Sequence, residues 1–384
     1  MSNGVLVKTD VDFNMEWAKN YPFTQVHDLC VTSSGDFALI GEYADGFMFC
    51  RVGPTGDLIT SKRLAVPDPG QAMVENLGND LVFAMYMDSA EGYSWSGASL
   101  VLMATDQDFV ANWSKTITDW PTTYFGYNHL DLAVDSDSIF LLTRITNLQM
   151  NILAKFDSGG NEIWTRHLGN DCSRYSRMAI LPNKEIVIAG QGSEEPSVIR
   201  ISVLSPLGAI VHTKTRSASD NTVHYPSKVV AYPDSRYAIA YNHTWGGAGS
   251  DFANKILFFD NHEYMGAWRY RELGLGYFPW DERLYLWGLD NENRLLVSGY
   301  QDDGDTEEDR MMGKVTWMSE DCGVGNVPTM WSYNYIKEPT ESITLGMTDM
   351  LLAVEDTLIA FTDGTYSNTF KCSDAGVDPG AVAS

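Results

Sequence analysis

Apolar residues along this chain come in short blocks, separated by Gly, Asn, Asp, Ser and Pro. Asp28-Leu29-Cys30-Val31 leads into a turn at Ser33-Ser34-Gly35-Asp36 and then into Phe37-Ala38-Leu39-Ile40-Gly41. Asp131-Leu132-Ala133-Val134, a turn at Asp135-Ser136-Asp137-Ser138, and Ile139-Phe140-Leu141-Leu142 repeat the arrangement. Further turns fall at Leu181-Pro182-Asn183-Lys184, Tyr232-Pro233-Asp234-Ser235 and Asp290-Asn291-Glu292-Asn293. Pro, Asn, Asp and Gly preset or tolerate turn dihedrals, so each of these is a predicted hairpin. Blocks this short and this continuously apolar read as strands buried on both faces, and helical periodicity is almost absent.

A second kind of hairpin follows each of the first. Asn151-Ile152-Leu153-Ala154-Lys155-Phe156 is one strand, Asp157-Ser158-Gly159-Gly160-Asn161 a tight turn, and Glu162-Ile163-Trp164-Thr165-Arg166 a strand with an aromatic and, two places on, a base. That pairing returns as Trp17-Ala18-Lys19, Trp113-Ser114-Lys115 and, more loosely, Trp268-Arg269-Tyr270 and Trp331-Ser332-Tyr333. Thr60-Ser61-Lys62 and His212-Thr213-Lys214 are degenerate copies without the Trp. Seven copies about 43 to 63 residues apart match the length of a four-stranded propeller blade. The predicted fold is therefore all-β: one seven-bladed β-propeller of four-stranded antiparallel blades, with strands a to d running outward from the channel. The expected blades are about 22–66, 67–120, 121–169, 170–219, 220–273, 274–337 and 338–384. The last has a and b strands at Leu351-Leu352-Ala353-Val354 and Leu358-Ile359-Ala360-Phe361, and residues 1–21 supply its c and d strands, Val5-Leu6-Val7-Lys8 and Met15-Glu16-Trp17-Ala18-Lys19. Such a closure removes exposed sheet edges.

The Asp-x-Gly-Gly-Asn-x-x-Trp-like hairpins, Asp157 to Trp164 above all, resemble the repeats of the bacterial quinoprotein-like and WD-repeat-like superfamily. The resemblance covers nearly the whole chain and implies a propeller; it implies no single activity, since propellers host enzymes, receptors and scaffolds. The Ala-x-Asp-x-x-Thr-Gly-Lys-x-x-Trp signature and adjacent cysteines of quinoprotein dehydrogenases are missing. Asp157-Ser158-Gly159-Gly160-Asn161 only loosely echoes the sialidase Ser-x-Asp-x-Gly-x-Thr-Trp repeat. There is no Gly-x-Ser-x-Gly elbow, phosphate loop or His-Glu-x-x-His motif.

Composition narrows the partners. A formal net charge of -25 without a basic cluster repels a phosphate backbone and disfavours anionic membranes, so neither nucleic acid nor a bilayer is expected. No apolar run approaches the roughly 20 residues of a membrane span. The first residues, Met1-Ser2-Asn3-Gly4-Val5-Leu6-Val7-Lys8, read as a strand rather than a signal peptide. The five cysteines include no Cys-x-x-Cys pair, and Cys30 and Cys50 lie in apolar runs as expected buried thiols.

In a propeller the b–c and d–a connections leave one face, and here they carry the aromatics. The expected contact residues are Tyr93, Trp95, Trp120, Tyr124, Phe125, Tyr127, Trp245, Tyr277, Phe278 and Trp280. The alternative is that they fold inward and plug the channel mouth. His27, His129 and His224 precede or begin inner strands on the same face, where converging imidazoles would bind a metal or serve acid–base chemistry. The run Asp302-Asp303-Gly304-Asp305-Thr306-Glu307-Glu308-Asp309 has oxygens for calcium but not the EF-hand pattern, and reads first as a solvated charge run. No cofactor is predicted.

Two function classes follow. The first is a non-catalytic interaction or assembly module binding protein subunits or a surface glycan through its aromatic face. A bacteriophage virion component (tail, fibre or capsid-associated) would combine a surface-like composition with no export signal; the alternative location is the cytoplasm. The second is a glycan-active lyase or hydrolase at the channel mouth, using those histidines with Asp28, Asp131, Arg174, Tyr175 and Arg177. An enzyme needs base, acid and charge stabiliser within one cleft.

Overall fold

The computed structural model describes residues 4–10, 15–44, 46–66, 68–88, 99–117, 130–145, 150–168, 174–191, 198–217, 223–244, 254–270, 283–301 and 309–315, with short segments at 333–334, 341–343, 347–349, 355–356 and 362–363. Among these residues every regular element is a strand. The chain opens with a hairpin, β1 (Gly4–Thr9) and β2 (Met15–Tyr21), in which Gly4 faces Tyr21 and Lys8 faces Trp17. Five antiparallel four-strand meanders follow. They are β3 (Gln25–Val31), β4 (Phe37–Tyr43), β5 (Gly46–Val52), β6 (Leu58–Ala65); β7 (Asp68–Leu77), β8 (Asp80–Asp88), β9 (Ser99–Thr105), β10 (Ala111–Ile117); and β11 (Leu130–Asp135), β12 (Ser138–Ile145), β13 (Met150–Asp157), β14 (Glu162–His167). The other two are β15 (Arg174–Ile180), β16 (Ile186–Gln191), β17 (Val198–Leu204), β18 (Ile210–Ser217), and β19 (Val223–Ala231), β20 (Tyr237–Thr244), β21 (Asn254–Asp260), β22 (Glu263–Tyr270). A sixth meander shows three strands, β23 (Arg283–Leu289), β24 (Leu295–Gln301) and β25 (Asp309–Val315).

Five short strands complete the order: β26 (Tyr333–Asn334), β27 (Glu341–Ile343), β28 (Met347–Asp349), β29 (Glu355–Asp356) and β30 (Thr362–Asp363). Each adds to the outer edge of an earlier sheet, in reverse sequence: β26 on β18, β27 on β14, β28 on β10, β29 on β6 and β30 on β2. The two ends of the chain therefore meet in one sheet, with Lys19 opposite Asp363 and Asn20 opposite Thr362. The closing strands expected at 351–354 and 358–361 lie outside the described residues. Tyr333, expected on the outer strand of the sixth meander, pairs with Thr215 of β18 instead.

Packing divides the chain into two compact units, residues 1–167 with 342–368 and residues 168–341 with 369–384. In the first, the innermost strands β3, β7 and β11 lie side by side. In the second, β15, β19 and β23 do the same. Within each unit, successive sheets pack face to face, and period-two alternation splits each strand between its neighbours. Leu81, Phe83 and Met85 of β8 join a core with Ile40, Phe49 and Leu64 of the sheet before. Val82, Ala84 and Tyr86 of the same strand join Leu132, Leu141 and Ile152 of the sheet after. Tyr237, Ile239 and Tyr241 of β20 face back to Val187, Ile201 and Val203, while Ala238 and Ala240 face forward to Leu286 and Val297. Both faces of a middle strand are buried, so its sequence is apolar throughout. Sheets stacked in this manner, innermost strand beside innermost strand, define a β-propeller.

Eight of the tight turns share one geometry. The N–H of the fourth turn residue donates to the carbonyl of the first, and the first N–H donates to the fifth carbonyl, as in Gly160 to Asp157 (3.0 Å) and Asp157 to Asn161 (2.9 Å). This is a type I turn closed by a bulge, and it puts the fourth residue at positive φ. That residue is Gly35, Gly56, Phe109, Gly160, Lys184, Gly208, Ser235 or Asn293. The first residue often clamps the turn with its side chain: Asp157 Oδ1 accepts from the N–H groups of Gly159 and Asn161, and Asp106 Oδ1 from those of Asp108 and Val110.

Candidate functional site

The aromatic residues expected to make contacts, Tyr93, Trp95, Trp120, Tyr124, Phe125, Tyr127, Trp245, Tyr277, Phe278 and Trp280, lie outside the described residues, as do His129 and the acidic residues Asp302, Asp303 and Asp305. The strands that bound them fix their topological place. The eight bulge-closed turns join first to second or third to fourth strands of their meanders, whereas the tight Tyr43–Gly46 turn joins the second to the third. The stretches 89–98 and 118–129 leave the strand ends of the β7–β10 sheet opposite its bulge-closed turn, and 245–253 and 271–282 leave the β19–β22 sheet at the end opposite its 232–236 turn.

The described candidates lie on framework strands. The His27 side chain lies beside a bulge in β3 and is only 6% exposed, with its ring edge-on to Phe47 at 6.0 Å. Its Nε2 is 3.3 Å from Glu42 Oε1, within ion-pair range but without hydrogen-bond alignment. Burial pulls its pKa down to about 4, so the ring is neutral at pH 7. His224 belongs to β19, opposite His243 in β20. Asp28 Oδ2 accepts the Val74 N–H at 2.9 Å, tying β3 to β7. Arg177 Nε donates to the Ser227 carbonyl at 3.2 Å, tying β15 to β19. Asp131 is buried in β11, and Arg174 and Tyr175 lie in β15. Cys30 and Cys50 are buried free thiols, and burial pushes both well above the ordinary thiol range, so neither supplies a thiolate. Among the described residues no group of three His, Cys, Asp or Glu side chains is arranged to hold a metal.

The repeated Trp-x-base pattern has a structural meaning. Trp17, Thr60, Trp113, Trp164 and His212 occupy the same register, immediately after the bulge that opens the outermost strand. Trp17 Nε1 donates to the Pro54 carbonyl at 2.9 Å, and its indole covers Gly56, where a Cβ would come within 3.0 Å of the ring. Trp113 Nε1 donates to the Ser158 carbonyl at 3.0 Å and covers Gly160, where a Cβ would stand 2.6 Å from the ring. Trp17 and Trp113 therefore each cap the turn of the next sheet, and a glycine makes room for each. The base reaches the acid of that turn: Lys19 Nζ is 3.9 Å from Asp57 Oδ1, and the Lys115 ammonium helps hold the Asp157 carboxyl below the ordinary carboxylate range, after the larger effect of its hydrogen bond from Asn161.

Where the Trp is missing, the partner turn has changed too. Opposite Thr60 the glycine is replaced by Phe109, at φ 60°, whose buried ring packs on Phe49 and Phe83. The turn carbonyl, that of Gln107, accepts instead from Arg51 Nη1 at 2.7 Å, and Asp108 pairs with Arg51 Nη2 at 3.1 Å. Opposite His212 the turn carries His262, at φ 64°, and the two imidazoles stack with centroids 5.9 Å apart. Trp268, a loose copy of the repeat, pairs with Ile256 further along its strand; the register equivalent of Trp164 is Gly266. Sequence reasoning found the Trp and base but not Arg51, Phe109 or His262. The available signal was the loss of glycine from the third-to-fourth-strand turn, at 106–110 and 260–263, wherever the preceding outer strand lacked Trp.

No protein-family model and no curated protein matches this chain. Among solved structures it is similar to the hydrazine synthase of Kuenenia stuttgartiensis, 13% identical over 73% of this chain and 76% of that one, with a TM-score of 0.49. It is similar to AofleA from Arthrobotrys oligospora, 10% identical over 87% and 92%, TM-score 0.46. A subtype N11 neuraminidase-like protein (H18N11, flat-faced bat, Peru) is 9% identical over 68% and 84%, TM-score 0.40. Its own sheets make the chain a β-propeller.

Proposed function

We propose that this propeller is a non-catalytic interaction or assembly module that presents its aromatic-rich connections to a protein subunit or a glycan. The carrying observation is that the eight bulge-closed, internally bonded turns lie at one end of the sheets, while the aromatic-bearing stretches 89–98, 118–129, 245–253 and 271–282 depart from the other. Large rings on a rigid scaffold supply contact area at low entropic cost. His27, Asp28 and Arg177, candidates for a catalytic role, are used within and between sheets. A charge of -25 favours a protein or carbohydrate partner over nucleic acid or an anionic membrane. Within this reading the repeats are kin to the bacterial quinoprotein-like and WD-repeat-like propellers. The chain serves at a virion or extracellular surface, as a bacteriophage tail, fibre or capsid-associated component, and its acid-rich, lysine- and arginine-poor composition fits that place.

The test is a glycan array probed with the purified chain, run beside an assay for new reducing or unsaturated sugar ends. Mass spectrometry of purified extracellular particles from the source culture accompanies it. Retention on a glycan, or recovery in particles, without new ends supports the module, and Trp95→Ala or Trp245→Ala should weaken retention while leaving the melting temperature unchanged. New sugar ends would replace this reading with the lyase or hydrolase.

A further inference from the structure

We infer that the joint between the β15–β18 sheet and the β19–β22 sheet is an acid-released contact, closed by the His212–His262 stack and opened when His212 takes up a proton. The other described joints are closed by groups that do not titrate between pH 5 and 8: indole on glycine twice, and guanidinium on carbonyl once. Here two imidazoles stack at 29° between ring planes. His212 Nε2 and His262 Nδ1 are both buried without a hydrogen-bond partner.

The charges around the pair determine what each proton does. Lys214, two places beyond His212 on β18, has a side chain only 3% exposed and places Nζ 2.7 Å from Glu263 Oε2. Glu185, from the turn between β15 and β16, has Oε2 3.1 Å from His262 Nε2. Tyr237 of β20 flanks His262 at 6.1 Å between ring centroids, and Tyr264 of β22 packs on Phe259 beside it. A proton on His212 would place a cation against the stacked His262 ring, with the Lys214 ammonium adjacent. Burial, Lys214 and His262 each lower the pKa of His212, with Glu263 opposing them. A lowered histidine pKa means that stability is full above the ordinary value of about 6.5 and is lost as the pH falls below it. Acid therefore opens this joint.

Two measurements test this on the whole chain. In hydrogen exchange corrected for intrinsic rates, amides of β18 and β22 should lose severalfold more protection between pH 7.5 and 5 than those of β11–β14. His212→Phe, which keeps a stackable ring, should remove the excess, and so should His262→Asn, since asparagine tolerates positive φ. The wild-type imidazole resonances need no variant: that of His212 should titrate below the ordinary imidazole range. A uniform loss of protection across all sheets, an excess that persists in both variants, or a His212 resonance that titrates at or above the ordinary imidazole value would overturn the inference.

Discussion

The indole of Trp113 and the missing side chain of Gly160 act as one unit. Gly160 has φ +74° and no room for a Cβ, whereas Gly35 has φ +84° and nothing within 4 Å of where its Cβ would be. Gly35→Ala should therefore cost only the backbone strain, about 1–2 kcal/mol. Gly160→Ala should cost more, and placing it in a Trp113→Ala background should bring its cost down to the Gly35→Ala level. Trp113→Ala alone should cost about 3 kcal/mol, the low end for removing a large aromatic, since this one is half-buried. Urea unfolding of the four proteins and the double variant reads this cycle directly. His27 yields a pH prediction. Its pKa is about 4 in the fold and about 6.5 in the unfolded chain. The unfolded state thus binds more protons between those values, and stability is full above pH 6.5 and falls towards pH 4. His27→Phe should make unfolding free energy less sensitive to pH across that window.

At the scale of the element, one turn geometry is filled in different ways. Phe109 and Asn293 both hold the left-handed fourth position, with φ 60° and 59°. Backbone strain alone would make glycine acceptable at both. Asn293 is exposed, so Asn293→Gly should change stability by less than about 1 kcal/mol. Phe109 is 1% exposed against Phe49 and Phe83, so Phe109→Gly should cost about 3–5 kcal/mol despite the relieved dihedral. Thermal or urea unfolding of the two variants separates strain from packing. The strands and hairpins were legible in the sequence because strand burial and turn dihedrals are local properties, written in short, near-continuous apolar blocks and in Gly, Asn and Asp. The joints were only half legible. Trp17 and Trp113 mark one side of a contact whose other side, at Gly56 or Gly160, lies about 40 residues on. Arg51, Phe109 and His262 carry no motif at all; each is meaningful only beside its spatial neighbour.

For the whole molecule, net charge is the dominant long-range term. A charge of -25 makes the compact state repel itself, and added salt screens that repulsion, with a Debye length of about 30 Å at 0.01 M and about 3 Å at 1 M. The melting temperature should therefore rise between low salt and roughly half-molar sodium chloride. A fall would mean that pairs such as Arg51–Asp108 and Lys214–Glu263 outweigh the net repulsion. The order of the sheets was readable from repeat spacing, since each meander has nearly the same length. The outer-edge pairing of β26 to β30 was not, because two- and three-residue strands have no periodicity to detect.

The capping of one sheet's turn by the previous sheet's outer strand has a consequence for inheritance. A repeat cut out as β7–β10 would carry Phe109, fitted to Thr60 behind it, and Trp113, fitted to Gly160 ahead of it. Duplicated in tandem, it would set an indole against a phenylalanine where a bare glycine is required. Gene segments that travel successfully in this lineage should therefore be bounded in mid-sheet, between a turn and the outer strand that follows it, so that each lock moves together with its key.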